Sequence, residues 1–296
     1  MAAVVISGKE VAAQIREELK VRVQRLKEKG VTPGLGVVLV GEEPASVSYV
    51  MGKAKGSEEI GMFEQTINLP ASASEEEILS AVDKLNRDTK FNGLLVQLPL
   101  PKGINAERII NAIFPEKDVD GLHPMNQGRL LRGEPCPLPC TPYGVVEMLS
   151  RSGHNPEGKH VVICGRSNLV GKPLAALLIQ KKKGANATVT VCHTGTKDLR
   201  RFTLQADILV AAMGAPKAIT ADMVREGCVV IDVGVNRVPD PSAAKGFRLV
   251  GDCDFEAIKE KAAAITPVPG GVGPMTVTML LKNTVEAAER IAPSLT

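Results

Sequence analysis

Residues 161–173, Val-Val-Ile-Cys-Gly-Arg-Ser-Asn-Leu-Val-Gly-Lys-Pro, decide the fold. The apolar run 161–164 reads as a buried strand, and Gly165 breaks it. A polar, glycine-bearing loop follows, then Leu174, Leu177 and Leu178 at helical spacing. Strand, loop and helix in this order open a dinucleotide-binding βαβ unit, where N–H groups at the helix N-terminus hold the pyrophosphate. The loop departs from G-x-G-x-x-G: it offers Gly165, Ser167 and Gly171, with Arg166 directly after the strand, placed to meet an extra phosphate. The next strand, 187–192, ends in His193 and Thr194 instead of the Asp or Glu that binds a free ribose 2′-hydroxyl. Both departures point to NADP rather than NAD.

Around this stretch the chain alternates strand and helix. Before it, strands are expected at 4–6, 35–40, 63–69 and 94–98. Helices follow Ser7 and Glu10 (an S-x-x-E capping box), run over about 45–59, follow a second box at Ser74 and Glu77, and run over about 106–113. The order β-α-β-α-β-α-β implies a mostly parallel sheet covered by helices. Residues 128–142, with four prolines and two cysteines, read as irregular, and Thr141-Pro142 as N-cap and first residue of a helix to about 151. Behind it, further strands are expected at 207–212 and 228–233. Lys181, Lys182 and Lys183 read as cations at a helix C-terminus. The motif 265–276 holds three prolines and three glycines and dictates a tight backbone with exposed N–H groups. The last helix, with Val277, Leu280, Leu281, Thr284, Ala287, Ala288 and Ile291 on one side, is expected to return to the first domain. The fold class is therefore α/β: two α/β domains with a cleft between them, residues 1–143 plus 275–296 and residues 144–274, the second a Rossmann-type NADP-binding domain.

Composition excludes several classes. With 296 residues, 44% hydrophobic and 23% charged, the chain has the make-up of a globular protein of two ordinary domains. No apolar run approaches the roughly 20 residues that span a membrane. A net charge of +3, dispersed basic residues and 3% aromatics give nucleic acid little to bind. The opening residues carry no basic or arginine-rich presequence, which predicts a cytoplasmic protein. Cys164 and Cys192 fall in buried strands as small hydrophobes, and Cys136 and Cys140 have no second pair nearby, so no metal is expected. The four histidines lack ligand spacing and read as structural or solvent-facing.

Tyr49 and Lys53, four residues apart, share one helix face just after a strand end, where open α/β sheets build sites. One reading is a surface Tyr over a solvated Lys stem. The other stacks the Tyr ring on a flat substrate while a desolvated Lys moves a proton at its reactive carbon. Gln97 closes an apolar strand, and either caps loop backbone or orients Lys53. Asp118 and Asp120 either complete a turn or, at Asp120, accept two hydrogen bonds from an amidine-like edge such as a 2-aminopyrimidine.

Together these residues closely resemble the bifunctional methylenetetrahydrofolate dehydrogenase/methenyltetrahydrofolate cyclohydrolase family. The matching pieces are Ser48-Tyr-Val-Met-Gly-Lys53, Gly93-Leu-Leu-Val-Gln-Leu-Pro-Leu100, Pro115-Glu-Lys-Asp-Val-Asp-Gly121, Cys140-Thr-Pro, Gly165-Arg-Ser-Asn-Leu-Val-Gly-Lys-Pro173 and Thr266-Pro-Val-Pro-Gly-Gly-Val-Gly-Pro-Met-Thr276, in order over essentially the whole chain. The resemblance implies NADP-linked oxidation of 5,10-methylenetetrahydrofolate, then hydrolysis of the methenyl product to 10-formyltetrahydrofolate, in a homodimer. It implies Lys53 as the central residue for hydrolysis, aided by Gln97, with Asp120 anchoring the pterin and Tyr49 stacking on the aminobenzoate. Val50, Met51, Gly52, Val96, Leu98, Pro269, Gly270, Gly271, Val272 and Gly273 would line the folate pocket. Gly165, Arg166, Ser167, Thr194 and Val235 would meet the dinucleotide. Thr194 stands where many relatives have Ser, and Val235 where Ile is common. Monofunctional dehydrogenases of this kind lack the lysine, so Lys53 argues for both activities. Two rivals remain at this stage. A shikimate-dehydrogenase-like enzyme leaves the 266–276 motif without a role, and a catalytically silent nucleotide sensor has no need of Lys53.

Overall fold

The computed structural model describes residues 2–243 and 246–292. In chain order the elements are β1 (Val4–Val5), α1 (Gly8–Glu28), β2 (Gly34–Val40), α2 (Pro44–Ile60), β3 (Phe63–Leu69), α3 (Glu75–Arg87), β4 (Gly93–Val96), α4 (Ala106–Asn111), α5 (Pro124–Arg132) and α6 (Cys140–Arg151). They continue with β5 (His160–Cys164), α7 (Gly171–Leu178), β6 (Thr188–Cys192), α8 (Leu199–Thr203), β7 (Ile208–Ala211), β8 (Val229–Asp232), β9 (Asn236–Pro239), β10 (Phe247–Val250), α9 (Phe255–Lys259), β11 (Ala264–Ile265) and α10 (Val272–Ile291). By contacts the chain forms two compact units, Met1–Ala12 with Thr141–Thr276, and Ala13–Cys140 with Val277–Thr296.

The unit containing residues 13–140 is built on the parallel sheet β3-β2-β4. All seven residues of β2 are buried, as a central strand covered on both faces requires. The N-terminus of α3 carries the expected capping box, Ser74 Oγ accepting the Glu77 N–H while the Glu77 carboxylate accepts that of Ser74. Its apolar stripe Ile78, Ala81, Val82 and Leu85 packs with Val38, Val40, Phe91, Leu94 and Val96 into one core. Gly93 begins β4 because a Cβ there would lie 2.5 Å from a Val119 methyl. That approach keeps the segment carrying Asp118 and Asp120 against the strand, where Leu94 and Asp118 form a parallel bridge.

The unit containing residues 141–276 carries a six-stranded parallel sheet, β1-β11-β8-β7-β5-β6. From β5 the chain crosses first to β6 on one side and next to β7 on the other. The strand order therefore reverses at β5, and the carboxyl ends there are where such sheets bind ligands. The chain from β7 to β11 adds the antiparallel hairpin β9–β10.

Four expectations need correction. The first twelve residues, placed by the sequence reading with 1–143, belong to the other unit, because Val4 and Val5 pair with Ala264 and Ile265. The expected irregular stretch 128–142 contains the end of α5, and α6 begins at Cys140. α5 has Pro124 in its first turn and His123 as cap, and ends on Gly133 in the left-handed region. The strand expected at 94–98 stops at Val96, leaving Gln97 and Leu98 beyond it. α7 ends at Leu178, so Lys181–Lys183 lie past the helix rather than in its last turn. Among the described residues, no helix is long and apolar enough to cross a membrane.

Candidate active site

In the unit built on β3-β2-β4, α2 presents Lys53 and the end of β4 presents Gln97. The Lys53 ammonium is 2.7 Å from Gln97 Oε1, and Gln97 Nε2 donates to the Leu98 carbonyl at 2.7 Å. The second bond turns the amide so that its oxygen faces the lysine. Lys53 is 7% exposed. Burial holds its pKa below the ordinary 10.5, opposed by the negative charge of Asp120. Cys140, at the start of α6, is buried in the same electrostatic neighbourhood. Burial, then the Asp120 charge, pushes its thiol well above its ordinary pKa and keeps it neutral.

The two aspartates divide their work. Asp118 is buried and accepts the N–H groups of Leu122 and His123 and the side-chain amide of Asn126. It is the turn-building carboxylate, and it leaves Asp120 half-buried two residues on. Asn283 of α10 braces this segment, its Nδ2 donating to the carbonyls of Val119 at 2.8 Å and Leu138 at 2.7 Å. Sequence reasoning missed Asn283 and the closeness of Cys140 to Lys53. A polar residue inside an amphipathic helix gives no signal of its partner, although a buried amide always needs one.

Tyr49 is 47% exposed and Met51 and Gly52 are exposed, whereas Val50 and Val96 face the core. A cavity of about 950 Å³ adjoins this helix, lined in part by Ser48, Met51, Gly41 and Asn68.

The other unit holds a pocket of about 490 Å³ at the β5, β6 and β7 ends, lined by residues including Gly165, Arg166, Ser167, Thr194, Met213 and Ala215. Gly165 has φ 137°, and a Cβ there would sit 2.1 Å from the Ala212 carbonyl oxygen. Only glycine allows the loop to cross the strand ends this closely. Ser167 Oγ accepts the Val170 N–H and shapes the entry to α7. The exposed Arg166 gives the pocket a cation on its rim. A glycine cradle at a strand-order reversal, with an arginine beside it, fits a dinucleotide bearing a further phosphate. Val235 is exposed after β8 and lies outside that pocket's lining. Pro269, Gly270, Gly271, Val272 and Gly273 belong to this same unit, where Lys9 N–H donates to the Gly270 carbonyl and Val272 begins α10.

The fold and these residues define a two-unit α/β enzyme, one unit carrying a buried lysine on an amide and the other a dinucleotide cradle. Family models match both: the tetrahydrofolate dehydrogenase/cyclohydrolase catalytic domain over residues 6–120 and the NAD(P)-binding domain of the same family over residues 139–292. The bifunctional protein FolD of Dehalococcoides mccartyi strain CBDB1 is 59% identical over 291 residues, covering 98% of both chains. That of Bacillus pumilus is 54% identical over 290 residues, covering 98% of this chain and 99% of the relative. The crystal structure of the bifunctional FolD dehydrogenase/cyclohydrolase from Campylobacter jejuni superposes with a TM-score of 0.91 at 46% identity, over 98% of this chain and 99% of that one. The Trypanosoma brucei enzyme, solved with NADP and an inhibitor, gives 0.92 at 41%, over 98% of each chain. The chain belongs to the tetrahydrofolate dehydrogenase/cyclohydrolase family.

Proposed function

We infer that the chain is a bifunctional, NADP-dependent methylenetetrahydrofolate dehydrogenase and methenyltetrahydrofolate cyclohydrolase. The observation that carries the hydrolytic half is the buried Lys53 ammonium on Gln97 Oε1 at 2.7 Å. When bound, NADP+ supplies the hydride acceptor for the methylene carbon. The chain's own part in that step is to hold the reactants: Gly165, Arg166, Ser167, Thr194 and Val235 for the dinucleotide, and Tyr49, Met51, Gly52, Leu98 and the 269–273 backbone for the folate. Asp120, left half-buried, accepts from the aminopyrimidine edge of the pterin.

In hydrolysis a water oxygen bonds to the methenyl carbon, and Lys53 in its neutral form takes a proton from that water. The carbon–N5 bond then breaks with its electron pair on N5, and the lysine ammonium returns the proton there. Collapse to the formyl carbonyl releases the second water proton. Gln97 holds the lysine in place, and desolvation supports the neutral amine this requires. The substrates are thus tetrahydrofolate derivatives. By its family the chain is proposed as a cytoplasmic homodimer that associates through the nucleotide-binding unit, which sedimentation of the purified protein tests.

Replacing Lys53 by Met tests the assignment. Hydrolysis of methenyltetrahydrofolate should fall to the rate in buffer while NADP+ binding stays. Undiminished hydrolysis in that variant would remove Lys53 from the mechanism.

A further inference from the structure

Two buried carboxylates that no step above uses tie together the loops after β7, β8, β10 and β11. Asp232 closes β8 and is 3% exposed, while Asp252 follows β10 and is fully buried. Asp252 Oδ2 accepts the N–H groups of Met213 at 2.5 Å and Gly214 at 2.9 Å. Its Oδ1 accepts the Ala215 N–H at 2.9 Å and Asn236 Nδ2 at 2.9 Å. Asp232 in turn accepts the N–H groups of Gly234, Asp252 and Cys253 at 3.0, 3.0 and 2.9 Å, and its own N–H donates to Thr266 Oγ1 at 2.7 Å. The approach leaves no room for another side chain: a Cβ on Gly234 would lie 2.2 Å from the Asp252 carboxyl carbon.

Met213 and Ala215 line the nucleotide pocket, and Val235 lies between the two other residues that Asp252 meets. Three successive N–H groups at the β7 end are consumed by Asp252, so they offer nothing to a phosphate. The anion-binding duty falls to the 165–171 loop, and the β7 and β8 loops serve as walls. Walls of irregular backbone hold a shape only when their donors are satisfied.

We propose that Asp252 is a positioning residue for the nucleotide site, its carboxylate setting the 213–215 and 234–236 loops in the form that receives NADP+ without touching it. The inference rests on the NADP reading given above. Asp252→Asn keeps the volume but turns one acceptor into a donor facing N–H groups. It should weaken NADP+ binding, read by calorimetric titration, by about tenfold or more. Hydrolysis of methenyltetrahydrofolate in nucleotide-free buffer should stay within about twofold of the parent, since Lys53 and Gln97 are untouched. Asn236→Ala removes one of the four bonds and should weaken NADP+ binding by about two- to fivefold.

Parent-like NADP+ affinity in Asp252→Asn, or an equal loss of binding and hydrolysis, overturns the assignment. Should Asp252→Asn not fold, parent-like affinity in Asn236→Ala overturns it equally. If the parent protein itself binds no NADP+, the NADP reading falls and this inference with it.

Discussion

Lys53 is held by one amide and otherwise buried, so its charge state is the most consequential single variable in the molecule. Because burial lowers its pKa, the neutral amine gains population below the ordinary 10.5. The hydrolysis rate should rise with pH along a limb whose midpoint lies below that value. Lys53→Arg, which stays charged, should lose about 10²-fold or more, read from the decay of methenyltetrahydrofolate absorbance. Stability and activity respond to this titration with the same sign in pH. The native state gives up this proton before the unfolded chain does, so burying the ammonium costs stability below the folded pKa, and the cost fades as pH approaches about 10.4. Lys53→Met should therefore melt no lower than the parent at pH 7, with any advantage shrinking in alkali. Asp232 supplies a second test: burial pushes its pKa up to about 6, outweighing three N–H donors. The folded state keeps that proton longer than the unfolded chain, so this group costs stability as pH climbs from about 4 to about 6. Asp232→Asn should flatten that part of the melting-temperature profile. Spacing and position singled out Lys53, four residues after Tyr49, and Gln97, closing an apolar strand, but left two readings open for each, and only the family resemblance implied their roles. Asp232 and Asp252 were not singled out, because an aspartate after an apolar strand reads the same whether it meets water or three backbone N–H groups.

At the scale of elements, the local signals were strong wherever a single residue decides geometry. Ser74 and Glu77 announce the start of α3, and Ser74→Ala should cost about 1 kcal/mol in denaturant unfolding with both activities intact. Gly165 announces the nucleotide loop. Gly165→Ala places a Cβ on the Ala212 carbonyl, so NADP+ affinity should fall by about tenfold or more while hydrolysis without nucleotide persists. Retained affinity in that variant would mean that the loop does not cradle the dinucleotide. α5 escaped notice because its Pro124 start and Gly133 stop resemble loop punctuation, and the prolines beyond it extended that impression. The β9–β10 hairpin was missed for a related reason: its short strands of mixed burial show no clean alternation.

For the whole molecule, the alternating pattern gave the α/β class and the nucleotide-binding half, but could not place a two-residue strand. Val4 pairs with Ala264, a contact between distant parts of the chain that no local periodicity encodes. Occupying the nucleotide site should stabilise the folded protein by mass action. NADP+ at a hundred times its Kd contributes about 2.7 kcal/mol, seen as a raised melting temperature that Gly165→Ala diminishes. The most direct measurement is product analysis after mixing the purified protein with 5,10-methylenetetrahydrofolate and NADP+, with NAD+ in a parallel reaction. NADPH together with 10-formyltetrahydrofolate, formed faster than in buffer, is the expected result. Methenyl product alone would contradict the role given to Lys53, and no turnover with either nucleotide would contradict the assignment as an enzyme.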